Sequence, residues 1–165
     1  MKLASLKSNK SKDGELIVVS QDNKFYCSAT DISPSLLSAV ESWVYIESKL
    51  KQRYDDLNNG KISDKKTIDD FNQFESALPR TWLFADGSAF IHHIKLVRQA
   101  RNAPLPETLL TVPLMYQAES GRFLAPREDI PQVSFDHGTD FEAEVGVIVD
   151  HVPIGVTAEQ ALEHI

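Results

Sequence analysis

Residues 140–150 read DFEAEVGVIVD, an apolar run interrupted by two glutamates one residue apart, Glu142 and Glu144. In an extended chain the side chains alternate. Phe141, Ala143, Val145, Val147 and Val149 therefore take one face, and Glu142, Glu144, Gly146 and Ile148 the other. The run predicts a strand whose two carboxylates point the same way, with Cα atoms about 6.6 Å apart at ~3.3 Å per residue. On a solvated face such a pair is ordinary. On an enclosed face it requires a counter-charge, because two neighbouring carboxylates cannot both stay ionised cheaply out of water. For all-oxygen ligation the natural counter-charge is a hard divalent ion, Mg²⁺, Mn²⁺ or Ca²⁺, in preference to zinc.

The rest of the chain sets the frame for that strand. Its 165 residues, 42% of them hydrophobic, suffice to bury a core in one ordinary domain or two small ones. A formal net charge of -7 argues against nucleic acid as a partner, since binding to phosphates rests on clustered Lys and Arg. The single cysteine, Cys27, excludes a disulfide within the chain and fits a reducing compartment. The opening MKLASLKSNK has no apolar stretch behind its charges, so no signal peptide is read there. No run approaches the ~18 apolar residues of a membrane span. The expected location is the cytoplasm, with no membrane partner.

Residues 1–30 alternate short apolar runs, LASL, ELIVVS and KFYCSA, with the turn-forming KSNKSKDG and SQDN, which predicts a small β meander. In the following segment Leu36, Val40, Trp43, Leu50, Tyr54 and Leu57 recur at helical spacing. Ser33 can cap that helix, Pro34 suits its first turn and Gly60 can end it. Residues 61–80, KISDKKTIDDFNQFESALPR, are polar and weakly periodic and read as a linker or surface excursion, with a domain boundary near Leu78. The predicted organisation is a small N-terminal domain over residues 1–78 and a second domain from 79 to 165.

The second half holds all five histidines, and its apolar runs are broken by proline-bearing loops, the kind of architecture on which sites are built. TWLFADGSAFIHHIKLVRQAR reads as a strand, TWLFA, then Asp86 as a helix cap, then a helix with Phe90, His93 and Val97 on its inner face. Seven residues bring a helix back to nearly the same side, about 10 Å further along at ~1.5 Å per residue. Asp86 and His93 could then flank one small ligand, one holding a metal and the other a water. The plainer readings, a cap and a buried core histidine, stay open beside it. Lys95, Arg98 and Arg101 lie where positive charge complements the end of the helix dipole, and an arginine fork there could also grip a substrate carboxylate.

The order ADGSAFIHH, then PLMYQ, then DFEAEV resembles the fumarylacetoacetate hydrolase family, in particular its longer bacterial members with a small N-terminal domain. The resemblance implies an α+β, mainly β fold: a β meander plus helix, then the start of the family's mixed β catalytic domain. It implies metal ligation by Asp86, Glu142 and Glu144, general-base work by His93, and substrate contacts from Tyr116 and from Arg101, with Arg98 as the competing arginine. The implied reaction is metal-dependent hydrolysis of a carbon–carbon bond in a small anionic β-diketo acid, fumarylacetoacetate giving fumarate and acetoacetate in aromatic amino-acid catabolism. A homodimer is the implied assembly.

Family members run on for well over a hundred further residues, which carry a third carboxylate, a lysine and a glutamate orienting the histidine. Asp150, six residues after Glu144, reads instead as a turn residue closing the strand. The tail TAEQALEHI opens with a Thr157 cap and reads as a helix that stops midway, so the chain is expected to be a truncation, a fragment or one half of a split protein. Two further readings stand beside the diketo-acid hydrolase. One is a catalytically incomplete module of the same fold; the other is an acylpyruvate hydrolase, decarboxylase or isomerase of the family. A module that survives alone should leave little apolar surface and few sheet edges uncovered.

Overall fold

In the computed structural model, which describes residues 1–165, β1 (Lys2–Leu6), β2 (Glu15–Val19) and β3 (Phe25–Ser28) form the predicted antiparallel meander. Gly14 makes the first turn possible: its φ is +69°, and a Cβ there would lie 2.6 Å from the Leu6 carbonyl oxygen.

The predicted single helix is two, α1 (Leu36–Glu41) and α2 (Trp43–Asn58), parted at Ser42. Ser35 rather than Ser33 caps α1, its hydroxyl accepting from the Ser38 N–H at 3.2 Å. The helices place Leu36, Ala39, Ile46, Leu50 and Leu57 against Leu16, Val18, Cys27 and Ala29 of the sheet, and this is the larger core.

Residues 61–80 are not a linker. They supply β4 (Lys66–Thr67), which pairs with β3 and completes a sheet of order β1-β2-β3-β4. They then return to the other margin, where Phe74 bridges Leu6, the Lys7 N–H donates to the Gln73 carbonyl at 2.8 Å and the Glu75 N–H to the Ser5 carbonyl at 2.9 Å. Phe74 is buried with Ile17, Val19 and Tyr26 in a second core, on the opposite face of β2 from the helices. A polar, charged stretch is thus held by backbone pairing and one aromatic anchor, neither of which leaves a periodic pattern.

The chain divides into two compact units, one of residues 1–80 with 123–165, the other of residues 81–122. The second unit contains a two-stranded antiparallel sheet of β5 (Phe84–Ser88) and β6 (Leu114–Ala118), with α3 (Ile91–Ala100) between them in sequence. Three expectations fail here. The strand begins at Phe84 and carries Asp86 at its centre, so Asp86 is not a helix cap. The helix starts five residues later, at Ile91, so Asp86 and His93 do not share a helical face. The buried residue of α3 is Ile94, while Phe90 and His93 are exposed.

Residues 141–149 form no ladder with any other strand of the chain, against the expected strand. Alternation predicts which way side chains point in an extended segment, but a strand exists only where a neighbour completes its hydrogen bonds. The tail bears out its Thr157 cap: α4 (Ala158–Ala161) opens on a capping box of Thr157 and Gln160. The fold is mixed α+β, as the sequence predicts. No helix is long and apolar enough to cross a membrane.

Candidate active site

β5 has the composition FADGS, poor in residues that favour extended structure, and β6 reads LMYQA. The pairing between them therefore decides the local structure, and it runs over five positions in register, from Phe84 opposite Ala118 to Ser88 opposite Leu114. At its centre Asp86 faces Tyr116, and the tyrosine hydroxyl donates to Asp86 Oδ2 at 2.8 Å. Phe84, Asp86 and Ser88 share one face of this sheet with Leu114, Tyr116 and Ala118. Asp86 is half-buried and Tyr116 is 57% exposed, so the pair stands at an accessible surface.

His93 lies in the first turn of α3 and is exposed. Arg98 sits in the last turn, and Arg101 is the C-cap, where its backbone N–H closes the helix and its side chain is exposed. Asn102 follows with a φ of +50°, the left-handed residue that lets the chain leave the helix. Positive charge at this end matches the dipole, as the sequence suggests.

Glu142 and Glu144 belong to the other unit and are exposed. The structure pairs Asp86 with Tyr116 inside the unit that also holds His93 and Arg101. The donor set of Asp86, Glu142 and Glu144 is all oxygen and suits a hard divalent cation. No three His, Cys, Asp or Glu side chains are gathered closely enough to hold a metal.

One contact was missed from the sequence. Asp150, read as a turn residue, accepts from Nδ1 of His164 at 2.6 Å through Oδ1, and its backbone N–H donates to the His164 carbonyl at 3.0 Å. The only signal for it is the Thr157 cap, which starts the helical turn that carries His164 back towards Asp150.

The meander with its helices and the strand pair that carries a carboxylate and a phenol make a mixed α+β protein. Residues 1–80 match the family model of the fumarylacetoacetase N-terminal domain 2, and residues 82–165 that of the fumarylacetoacetate hydrolase C-terminal domain. The chain belongs to the fumarylacetoacetate hydrolase family. Enzymes of this family commonly use divalent metals. No curated protein matches the chain.

Proposed function

We propose that the chain serves metal-dependent hydrolysis of a carbon–carbon bond in a small anionic β-diketo acid, fumarylacetoacetate or an acylpyruvate, with residues 79–165 as the first part of the catalytic domain. The observation that carries this reading is the Asp86–Tyr116 pair, which sets a carboxylate at an accessible face of a strand in the part of the chain that matches the hydrolase domain.

In this reading Asp86, Glu142 and Glu144 would hold a Mg²⁺, Mn²⁺ or Ca²⁺ ion. When bound, the ion supplies charge stabilisation for the diketo oxygens and offsets the repulsion between an acidic site and an anionic substrate. His93 takes a proton from water as the general base. The water oxygen adds to one carbonyl carbon, the carbon–carbon bond breaks with its electron pair leaving on the enolate fragment, and that fragment takes up a proton. Arg101 receives the substrate carboxylate through its fork, and Tyr116 contacts the substrate beside Asp86.

A second reading has its own support: the chain supplies only part of a site that another segment completes. Residues 141–149 pair with no strand, the β5–β6 sheet is two-stranded, and Trp82, Leu110, Val133, Phe135, Val145 and Ile154 are largely exposed. Two-stranded sheets are marginal alone, and large uncovered apolar surface favours association. Homodimerisation in the cytoplasm fits both readings, and a sedimentation experiment showing only monomer over a wide concentration range would count against it.

The deciding assay follows loss of diketo absorbance with Mg²⁺ or Mn²⁺, with EDTA and Asp86→Ala as controls. Turnover abolished by both controls supports the hydrolase reading. No turnover from protein of confirmed intact mass supports the incomplete-site reading.

A further inference from the structure

Of the six asparagines in the chain only Asn59 is followed by a glycine. Asn59 is the C-cap of α2, and Gly60 follows it with a φ of +73°, the left-handed residue that ends the helix. The Gly60 N–H donates to the Leu57 carbonyl at 3.2 Å and the Lys61 N–H to the Asp56 carbonyl at 2.9 Å, the paired bonds of a Schellman turn. Residues 58–60 are exposed, and a Cβ at Gly60 would meet nothing within 4 Å.

The two neighbouring amides are held differently. Asn58 Nδ2 donates to the Tyr54 carbonyl at 2.7 Å, and its Oδ1 accepts from the Gln21 N–H at 2.8 Å. Asn59 is tied through its backbone N–H, to the Asp55 carbonyl at 2.9 Å, and its side-chain amide has no such bond. Asparagine is a thermolabile residue. Its side-chain carbonyl carbon can close a five-membered ring onto the next backbone nitrogen, and glycine brings no side chain to crowd that ring. The Leu57 bond on the Gly60 N–H lies at the helix terminus, where fraying costs least.

We propose that Asn59 is a site of spontaneous conversion to isoaspartate, with water as the only co-reactant, and that the product releases the end of α2. The Gly60 nitrogen loses its proton to solvent and bonds to Asn59 Cγ. The Cγ–Nδ2 bond then breaks, and the nitrogen takes up a proton and leaves as ammonia. Water adds to the main-chain carbonyl carbon of Asn59 in the ring, and the bond from that carbon to the Gly60 nitrogen breaks. The chain now runs through Cβ and Cγ, and the former main-chain carbonyl is a free carboxylate. The product has one extra backbone atom and one extra negative charge. The atom takes Gly60 and Lys61 out of register with Leu57 and Asp56, and the charge sits at the negative end of the helix dipole. Leu57, buried in the larger core, is the nearest anchor disturbed.

The test is ageing of the folded chain in mildly alkaline buffer, followed by peptide mapping that separates isoaspartate from aspartate, for the parent, Asn59→Gln and Gly60→Ala. The expected result is isoaspartate at Asn59 ahead of every other asparagine, none in Asn59→Gln, and most of it lost in Gly60→Ala. Alanine in the left-handed turn loosens the helix end, so fraying alone would speed the reaction in that variant. Unchanged or faster conversion there overturns the proposal. Conversion in urea but not in the folded chain, or none at all, overturns it as well, because the turn then protects the Gly60 N–H. In aged parent protein the Gly60 and Lys61 amides should exchange hydrogen faster than in fresh protein, with those of β1 and β2 unchanged. Unaltered exchange at both overturns the release of α2.

Discussion

Leu16 and Ile17, consecutive along β2, are both fully buried and enter different cores: Leu16 lies under the helices, and Ile17 lies with Tyr26 and Phe74 on the opposite face. A strand of only five residues therefore serves two hydrophobic layers. Leu16→Ala and Ile17→Ala are each expected to cost about 2–5 kcal/mol, the range for large-to-small changes at closed sites. Urea denaturation followed by far-UV dichroism measures both. A loss well under 1 kcal/mol at Ile17 would mean that the Phe74 layer is not a core.

The Gly14 turn gives a sharper comparison. Gly14 and Gly60 both have positive φ, but only at Gly14 would a Cβ meet the backbone. Gly60→Ala should cost about 1–2 kcal/mol, the left-handed penalty alone. Gly14→Ala should cost clearly more. Equal thermal midpoints for the two variants would contradict the close approach to Leu6.

Acid should weaken the N-terminal domain in part through Asp31. Its carboxyl receives a two-pronged contact from Arg53, at 2.7 and 3.2 Å, and that hydrogen bonding holds its pKa below the usual 3.8. A depressed carboxyl contributes stability above its unfolded pKa, and that contribution is lost as pH falls through the lower folded value. The Asp31 side chain is 64% exposed, so solvent screening keeps the contribution at neutral pH below about 1 kcal/mol. Asp31→Asn should therefore flatten the fall in stability below about pH 4. A variant as acid-sensitive as the parent would exclude this pair as a source.

Cys27 lies in the helix-side core, and burial pushes its thiol up from the ordinary value. At neutral pH it should react slowly with an aromatic disulfide reagent in the native protein and rapidly in urea. Fast stoichiometric labelling of folded protein would show that the core opens readily.

How much was legible in the sequence depended on whether the deciding contacts were local. The meander was readable because ELIVV and FYCS carry their own strand preference and are bounded by turn residues. The helical spacing from Leu36 to Leu57 was readable too, though the break at Ser42 leaves that spacing undisturbed. Asp86 was misread for a physical reason: an aspartate a few residues before an apolar helical run is a good cap. What makes it a strand residue is Tyr116, thirty positions away. The same limit applies to residues 141–149, whose alternation states a preference that no partner strand in the chain satisfies. The candidate residues were found by motif. Their arrangement depends on pairing between distant segments, which spacing does not encode.

The stretch from Lys66 to Glu75 touches both margins of the N-terminal sheet, through a two-residue strand at one side and the Phe74 bridge at the other. The sheet consequently offers little exposed backbone on which a foreign strand could template. Short, lysine-bearing edge strands are a common protection against fibril growth. Amyloid-type assembly, if this chain undergoes it, should therefore start in residues 81–165, and the protease-resistant core of any fibril should map there rather than to the meander.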